Sequence, residues 1–256
     1  MEVLQIDVGG KLAHFRKYYA NNTAMSFSIP PRTTLMGMLA SMLGRSRDSY
    51  YDELASERIR IGVRVMQPIK KTFHRLNLLK IVGKGDFDGS NGRIQTPFEI
   101  VSGLSISRDM VIYRLYVACH EMGDETFQSL KQAVLERQFQ YALTFGTANF
   151  TASLLSATLI TDVQLTDSDD WVHMHSAMPS EAVDELDFDR QRTEDTLQSI
   201  EEELLPGDFV ANFDRELRRM DRVLFSTTAS GIRVRLNKPH YRLIQAGEIQ
   251  HILFME

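Results

Sequence analysis

Ile29-Pro30-Pro31-Arg32-Thr33-Thr34-Leu35-Met36-Gly37-Met38-Leu39-Ala40, running on to Gly44, passes from extended chain to helix within three residues. Proline biases the residue before it away from the helical region, and it is tolerated in a first helical turn, where its missing N–H has no intrahelical role. Leu35, Met36, Met38, Leu39, Met42 and Leu43 then recur at helical spacing, and Gly44 is a natural stop. Gly37 inside that helix costs about 1 kcal/mol relative to alanine, which predicts a neighbour packed closely against it.

Working outward, residues 3–8 alternate apolar and polar as a half-buried strand does, Gly9-Gly10 interrupts, and 12–19 resumes with aromatic and basic residues. Downstream, Ile59, Ile61, Val63 and Val65 alternate with Arg58, Arg60, Gly62 and Arg64, which predicts one core face and one face carrying three arginines. Residues 111–119 read as a strand. Residues 125–138 read as a helix behind Asp124-Glu125, whose charges suit a helix N-terminus, and 154–165 as a further strand. The order β, α, β, long excursion, β, α, β is the split-βαβ, ferredoxin-like (βαββαβ) plan of an α+β domain, an antiparallel sheet with two helices on one face. The excursion is too long for a structureless loop. It predicts a projecting hairpin at about 67–109, with the glycine-rich run 83–92 at its tip.

This organisation divides the chain into a domain over 1–165 and an acidic insert with a smaller β-containing extension over 166–256. Residues 181–208 set 11 acidic residues against two arginines and read as exposed helix or flexible insert. Residues 214–220 read as helix, and 231–236 and 248–254 as strands.

The 256 residues are 43% hydrophobic and 25% charged, and no apolar run reaches the roughly 18 residues of a membrane span. The N-terminus lacks the basic and apolar regions of a signal peptide. Cys119, the only cysteine, excludes an internal disulfide and a cysteine-based zinc site. These features predict a cytoplasmic protein with no membrane association. The net charge of -5 is unevenly spread: residues 1–118 hold 17 Lys/Arg against 10 Asp/Glu, and 119–256 hold 12 against 24. A basic half favours a polyanion through counterion release, and an acidic half repels one, so a nucleic acid is expected over the N-terminal part. Charges that merely solvate an ordinary surface are the alternative.

Motifs for metals and phosphates fail. His120-Glu121 has no second histidine one turn later. Asp86-x-Asp88-x-Ser90 lacks the glycine and the bidentate glutamate of a calcium loop, holding Asn91 and Pro97 there instead. Gly83-Lys84-Gly85 lacks the rest of a phosphate loop. His173-x-His175 puts two imidazoles on one side of a strand without a third ligand, and ordinary surface histidines are the preferred reading. No metal and no cofactor are therefore expected. His14, Lys17, Tyr18 and Tyr19 admit three readings: acid, base and oxyanion stabiliser for metal-free RNA cleavage; an aromatic-basic strand end that stacks on bases and holds phosphates; or tyrosines in the core.

The string Ile29 to Ala40 resembles the first-helix signature of the family-five CRISPR-associated proteins, members of the RAMP superfamily of RRM-like, ferredoxin-like RNA binders. Phe15-Arg16-Lys17, Thr96-Pro97-Phe98-Glu99-Ile100-Val101 and Tyr141-Ala142-Leu143-Thr144-Phe145-Gly146 match in the right order, over about two-thirds of the chain. The resemblance implies a non-catalytic subunit of a type I (Cascade) complex, of the I-B kind, gripping the 5′ handle of the CRISPR RNA in antiviral defence. Its thumb hairpin would meet the backbone subunit. The large subunit would be a further partner, and target DNA would be reached through the complex. Pro31, Arg32, Thr33 and Thr34 would then hold a phosphate at the helix N-terminus, with Arg16, Lys17 and Tyr18 along the same edge. Lys70, Lys71, His74, Arg75 and Lys84 would sit on or near the thumb. One branch of the family processes precursor RNA, which keeps an endoribonuclease as an alternative. An assembly protein making mainly protein contacts, with the acidic tail as docking surface, is the third reading.

Overall fold

A computed structural model describes residues 1–20, 23–121, 124–167, 170–188, 200–210 and 215–256. Its N-terminal part runs β1 (Val3–Gly10), α1 (Arg32–Met42), β2 (Ile59–Val65), β3 (Ile69–Leu79), β4 (Arg93–Gly103), β5 (Val111–Cys119), α2 (Glu125–Leu135) and β6 (Thr151–Ile160). The central sheet has the order β2-β5-β1-β6, with the short strand Leu143–Thr144 beyond β6, and every neighbouring pair is antiparallel. Period-two alternation gives this sheet two apolar faces. On one, Leu4, Ile6, Val8, Ile61, Val63 and Leu115 pack with Leu35, Met36 and Leu39 of α1 and Phe127, Leu130 and Val134 of α2. Full burial of each such side chain contributes roughly 1.5–3 kcal/mol. The other face, with Val3, Tyr116, Ala118 and Ile160, is covered by Leu243, Ile252 and Phe254 from the C-terminal region.

The helix reading of the opening stretch holds. α1 ends ahead of Gly44, whose φ of +69° is the left-handed conformation that stops a helix. A Cβ on Gly37 would lie 3.1 Å from the Tyr50 hydroxyl, which supplies the close neighbour expected there. α2 starts at Asp124, whose carboxylate accepts from the Phe127 N–H at 3.0 Å. The arginine face of β2 packs inward on the C-terminal region: Arg60 bonds the Tyr241 hydroxyl, with its guanidinium 5.7 Å from that ring and 5.9 Å from Phe254, and Arg64 donates to the Ala229 carbonyl at 2.9 Å.

β3 and β4 form a long hairpin, registered from Ile69 opposite Gly103 to Leu79 opposite Arg93. Its tip is a 3-10 turn, Lys84–Asp88, in which the Asp86 carboxylate accepts from the Val82 and Gly83 N–H groups at 2.7 Å each. Ile69, Ile100 and Val101 are buried at its root, whereas Phe73, Val82 and Phe87 are exposed.

The C-terminal region is made of strands: β7 (Asp162–Thr166), β8 (Val172–Met174), β9 (Val183–Leu186), β10 (Ile200–Phe209), β11 (Leu217–Ser226), β12 (Ile232–Leu236), β13 (His240–Gln245) and β14 (Glu248–Ile252). Six of them form a sheet of order β7-β13-β14-β8-β12-β9, and β10 and β11 pair antiparallel with Met178–Pro179 outside β11. Two expectations are corrected here. The helix expected at 214–220 is the start of β11, with residue 214 outside the described residues. The acidic stretch 181–208 is neither exposed helix nor loose insert where it is described. Apart from 189–199, which lie outside the described residues, it forms a short 3-10 turn, β9 and most of β10. Glu201, Glu203 and Asp208 are matched by Lys17, Lys71 and Arg32 from distant parts of the chain, so local charge density gave the wrong answer. Among the described residues, no helix is long and apolar enough to cross a membrane.

Candidate functional site

A cleft of about 620 Å³ opens at the start of α1. Pro31, Thr33 and Thr34 supply the helix end, and Arg16, Tyr18 and Phe98 one wall; Phe209 and Arg215 face them. A second hollow of about 290 Å³ continues along α1 past Gly37 to Tyr50 and Tyr51, sharing Thr33, Thr34, Phe209 and Arg215 with the first. The wall is held by local folding. Phe15 and Arg16 pair with Phe27 and Ser26, the His14 N–H donates to the Phe145 carbonyl at 3.0 Å, and Phe145 is buried against Phe15 and Tyr113. Gly146, at φ +87°, completes the turn; a Cβ there would lie 1.9 Å from the His14 carbonyl oxygen, so no other residue fits.

The chemistry of the cleft is that of an anion and aromatic-ring site. The first turn of a helix carries N–H groups without helical acceptors and the positive end of the dipole. Thr33 and Thr34 add hydroxyls. Arg16 is exposed and bonds only the Ala20 carbonyl, at 3.3 Å, among the described contacts; Arg215 holds Asp48 at 2.8 Å and is 47% exposed. Tyr18 is 54% exposed and meets Tyr19 edge-on at 5.2 Å. Phosphates and stacked bases are the ligands such a surface suits.

Of the residues singled out in the sequence, Arg16, Tyr18, Pro31, Thr33 and Thr34 meet in this cleft, together with His14. The others do not. Arg32 is a correction: it is 1% exposed and faces away from any phosphate at the helix end. Its guanidinium pairs with Asp208, holds Glu256 at 3.2 Å, and donates to the carbonyls of Leu54 at 2.9 Å and Ile59 at 2.6 Å. Burial pushes the Glu256 carboxyl up to about 7, against the pull of Arg32. Lys17, just past the short strand Phe15–Arg16, does not line the cleft with Arg16 and Tyr18. Its ammonium sits 2.9 Å from Glu203; burial works against its charge, but Glu203 and Tyr19 together outweigh burial and hold its pKa above the ordinary lysine value. Lys71 joins the same carboxylate at 3.3 Å, with Glu201 at 3.6 Å. Along β3, Lys70 and His74 project from one face of the hairpin and Lys71 and Arg75 from the other, and Lys84 lies at the exposed tip, so the five do not form one patch.

His14 is 2% exposed, its Nδ1 is 2.7 Å from the Glu99 carbonyl, and its Nε2 has no partner among the described residues. Burial depresses its pKa. Phe209 and Arg215 carried no signal in the sequence, because they come from the region around β10 and β11, whose local pattern reads as insert and helix. No group of three His, Cys, Asp or Glu side chains suited to a metal exists among the described residues.

A family model described as "CRISPR-associated protein (Cas_Cas5)" matches residues 3–153, which include most of the cleft. No curated protein matches the chain. A solved CRISPR protein from Archaeoglobus fulgidus superposes with a TM-score of 0.55 at 14% identity, covering 98% of each chain. A chain of a solved CRISPR RNA-guided surveillance complex superposes with a TM-score of 0.50 at 11% identity, covering 90% of this chain and 91% of that one.

Proposed function

Because the chain belongs to the Cas5 family of CRISPR-associated proteins, we propose that it is a non-catalytic subunit of a type I surveillance complex that grips the 5′ handle of the CRISPR RNA in the cleft at the start of α1. The observation that carries this reading is the convergence there of a helix N-terminus, Arg16, Arg215, two threonine hydroxyls and the rings of Tyr18, Phe98 and Phe209. The strand order β2-β5-β1-β6 with both helices on one face supports assigning the ferredoxin-like βαββαβ plan to the N-terminal part. The hairpin, whose outer length exposes Phe73, Val82 and Phe87, is the natural docking element for a neighbouring backbone subunit. Target DNA would be read by the guide RNA rather than by this chain.

The placement of the proton-transfer candidates favours binding over cleavage. His14 is buried under Phe98, at 4.0 Å between ring centres, and the Lys17 ammonium is engaged by Glu203. Two measurements test the proposal. Arg16→Ala and Arg215→Ala should each weaken co-assembly with handle RNA and the backbone subunit by about tenfold, equivalent to about 1.4 kcal/mol. Unchanged assembly in both would place the RNA elsewhere. Repeat RNA incubated with the chain in EDTA should stay intact, and a single defined cut near the handle would overturn the non-catalytic assignment.

A further inference from the structure

Two hollows, of about 530 and 440 Å³, meet at Arg60, His120 and Tyr241 and form a groove across the end of the central sheet away from the cleft. Thr161 follows β6, Met1 and Glu2 precede β1, Cys119 closes β5, and Ser56, Glu57 and Arg60 lie at the start of β2, so the groove passes the strand ends in their sheet order. Phe127 and Gln128 of α2 and Tyr241 of β13 complete its walls. β1, eight residues and roughly 25 Å long, separates it from the cleft, with which it shares no lining residue.

The two lobes differ in chemistry. The first is apolar at its base, where Phe127 is 1% and Cys119 9% exposed, with Met1 at the rim. The second is cationic. Its carboxylates already have partners: Glu57 holds Arg218 at 2.8 Å, and Glu256 faces Arg32 at 3.2 Å. Arg219, which also lines it, is held by Asp221 at 2.7 Å. Arg60 and Lys238 are left over, because among the described residues neither pairs with a carboxylate. Arg60 is fixed between the lobes by neutral groups. It donates to the Tyr241 hydroxyl and, at 3.0 Å, to His120 Nδ1, while the His120 Nε2–H donates to the Ser56 carbonyl at 3.0 Å. A guanidinium carries five N–H groups, so these contacts leave donors for a ligand.

We propose that this groove docks an acidic peptide segment of a partner protein, with a carboxylate received between Arg60 and Lys238 and a neighbouring apolar side chain seated in the lobe over Phe127 and Cys119. Charge complementarity selects the carboxylate, since these two cations lack one within the chain, and a guanidinium already held in place loses little freedom on binding. A nucleic-acid strand fits less well. It needs cations spaced along its path and open rings to stack on. Here the free cations lie in one lobe only, Phe127 is buried, and the Tyr241 ring is already flanked by Arg60 at 5.7 Å and Phe254 at 5.2 Å.

The test selects random heptapeptides displayed on phage against the full chain. The enriched sequences should carry Asp or Glu next to, or one position from, a large apolar residue. A labelled synthetic peptide of the consensus sequence should lose about tenfold in affinity, by fluorescence anisotropy, on Lys238→Glu and on Arg60→Gln. Lys238 lies in the short turn between β12 and β13, so its substitution should leave the circular dichroism spectrum unchanged and keeps the test independent of any packing role of Arg60. Arg16→Ala, in the cleft, should not alter peptide affinity. A benzoylphenylalanine at the apolar position should crosslink to residues 1–7 or 119–131. No enrichment over the Lys238→Glu chain, a consensus without an acidic residue, or equal affinity in the Lys238→Glu variant would overturn the proposal and leave the cleft assignment standing. An oligouridine whose binding falls in Lys238→Glu, with no peptide bound, would give the groove to RNA and overturn the choice of a protein partner.

Discussion

Arg32 joins the first turn of α1 to carboxylates from the last third of the chain, Asp208 and Glu256, at a position closed to water. Removing one partner of a buried ion pair leaves the other charge without compensation, at a cost of about 3–5 kcal/mol. Arg32→Ala should lose that much in urea unfolding. A loss within experimental error would mean that both carboxylates take up protons or water easily. Glu256 allows the sign of its pH effect to be worked out. Its folded pKa of about 7 lies above the ordinary 4.5, so the native state keeps a proton that the unfolded chain releases. Its contribution is therefore complete below the ordinary value and is lost as pH rises through about 7. Glu256→Gln should flatten the fall in urea midpoint across that window. A midpoint profile unchanged by the substitution would show that the carboxyl titrates normally.

Elements whose partners are near in sequence, or whose apolar residues keep a strict period, are legible from the amino-acid sequence alone. α1 shows its Leu/Met stripe, and β2 shows Ile59, Ile61, Val63 and Val65 at period two. β10 and β11 are not, because what makes Glu203 and Asp208 tolerable inside the molecule is Lys17, Lys71 and Arg32, more than a hundred residues away. The cleft divides in the same way: Arg16, Tyr18, Pro31, Thr33 and Thr34 come from one contiguous N-terminal stretch, and Arg215 and Phe209 can come only from the fold. The C-terminal sheet has its own pH signature. Burial lowers His175 and His240 to about 4, from 6.5, so the native state binds fewer protons than the unfolded chain. That stability is complete above 6.5 and is lost as pH falls towards about 4, opposite in sign to Glu256. In a Glu256→Gln background, the urea midpoint should fall with acid, and His240→Phe should make the fall shallower. An equal acid slope in both chains would remove His240 from this account.

At the scale of the whole molecule, the two oppositely charged halves neutralise one another rather than lying apart. β10 lays Glu201 and Glu203 against the basic edge that was expected to meet the polyanion. Glu203 is 9% exposed in its side chain, holds Lys17 at 2.9 Å and Lys71 at 3.3 Å, and accepts from the Ser28 N–H at 3.0 Å. Glu201 accepts from the Ser28 hydroxyl at 2.5 Å. Two lysines that would each release counterions on an RNA backbone are thus already neutralised, and among the described residues only Arg16 and Arg215 remain as exposed cations around the cleft. Replacing both glutamates by glutamine keeps acceptors for Ser28 and removes the two charges. The fold should persist at a cost of about 1–3 kcal/mol, the range for hydrogen bonds to charged groups. Lys17 and Lys71 would then be free to meet phosphates. Handle-RNA affinity should rise several-fold at low salt, and the salt slope should steepen by about 0.7 per recruited lysine. If the double variant bound RNA no better at any salt concentration, β10 would be a purely structural brace, and the RNA path would not run along this edge.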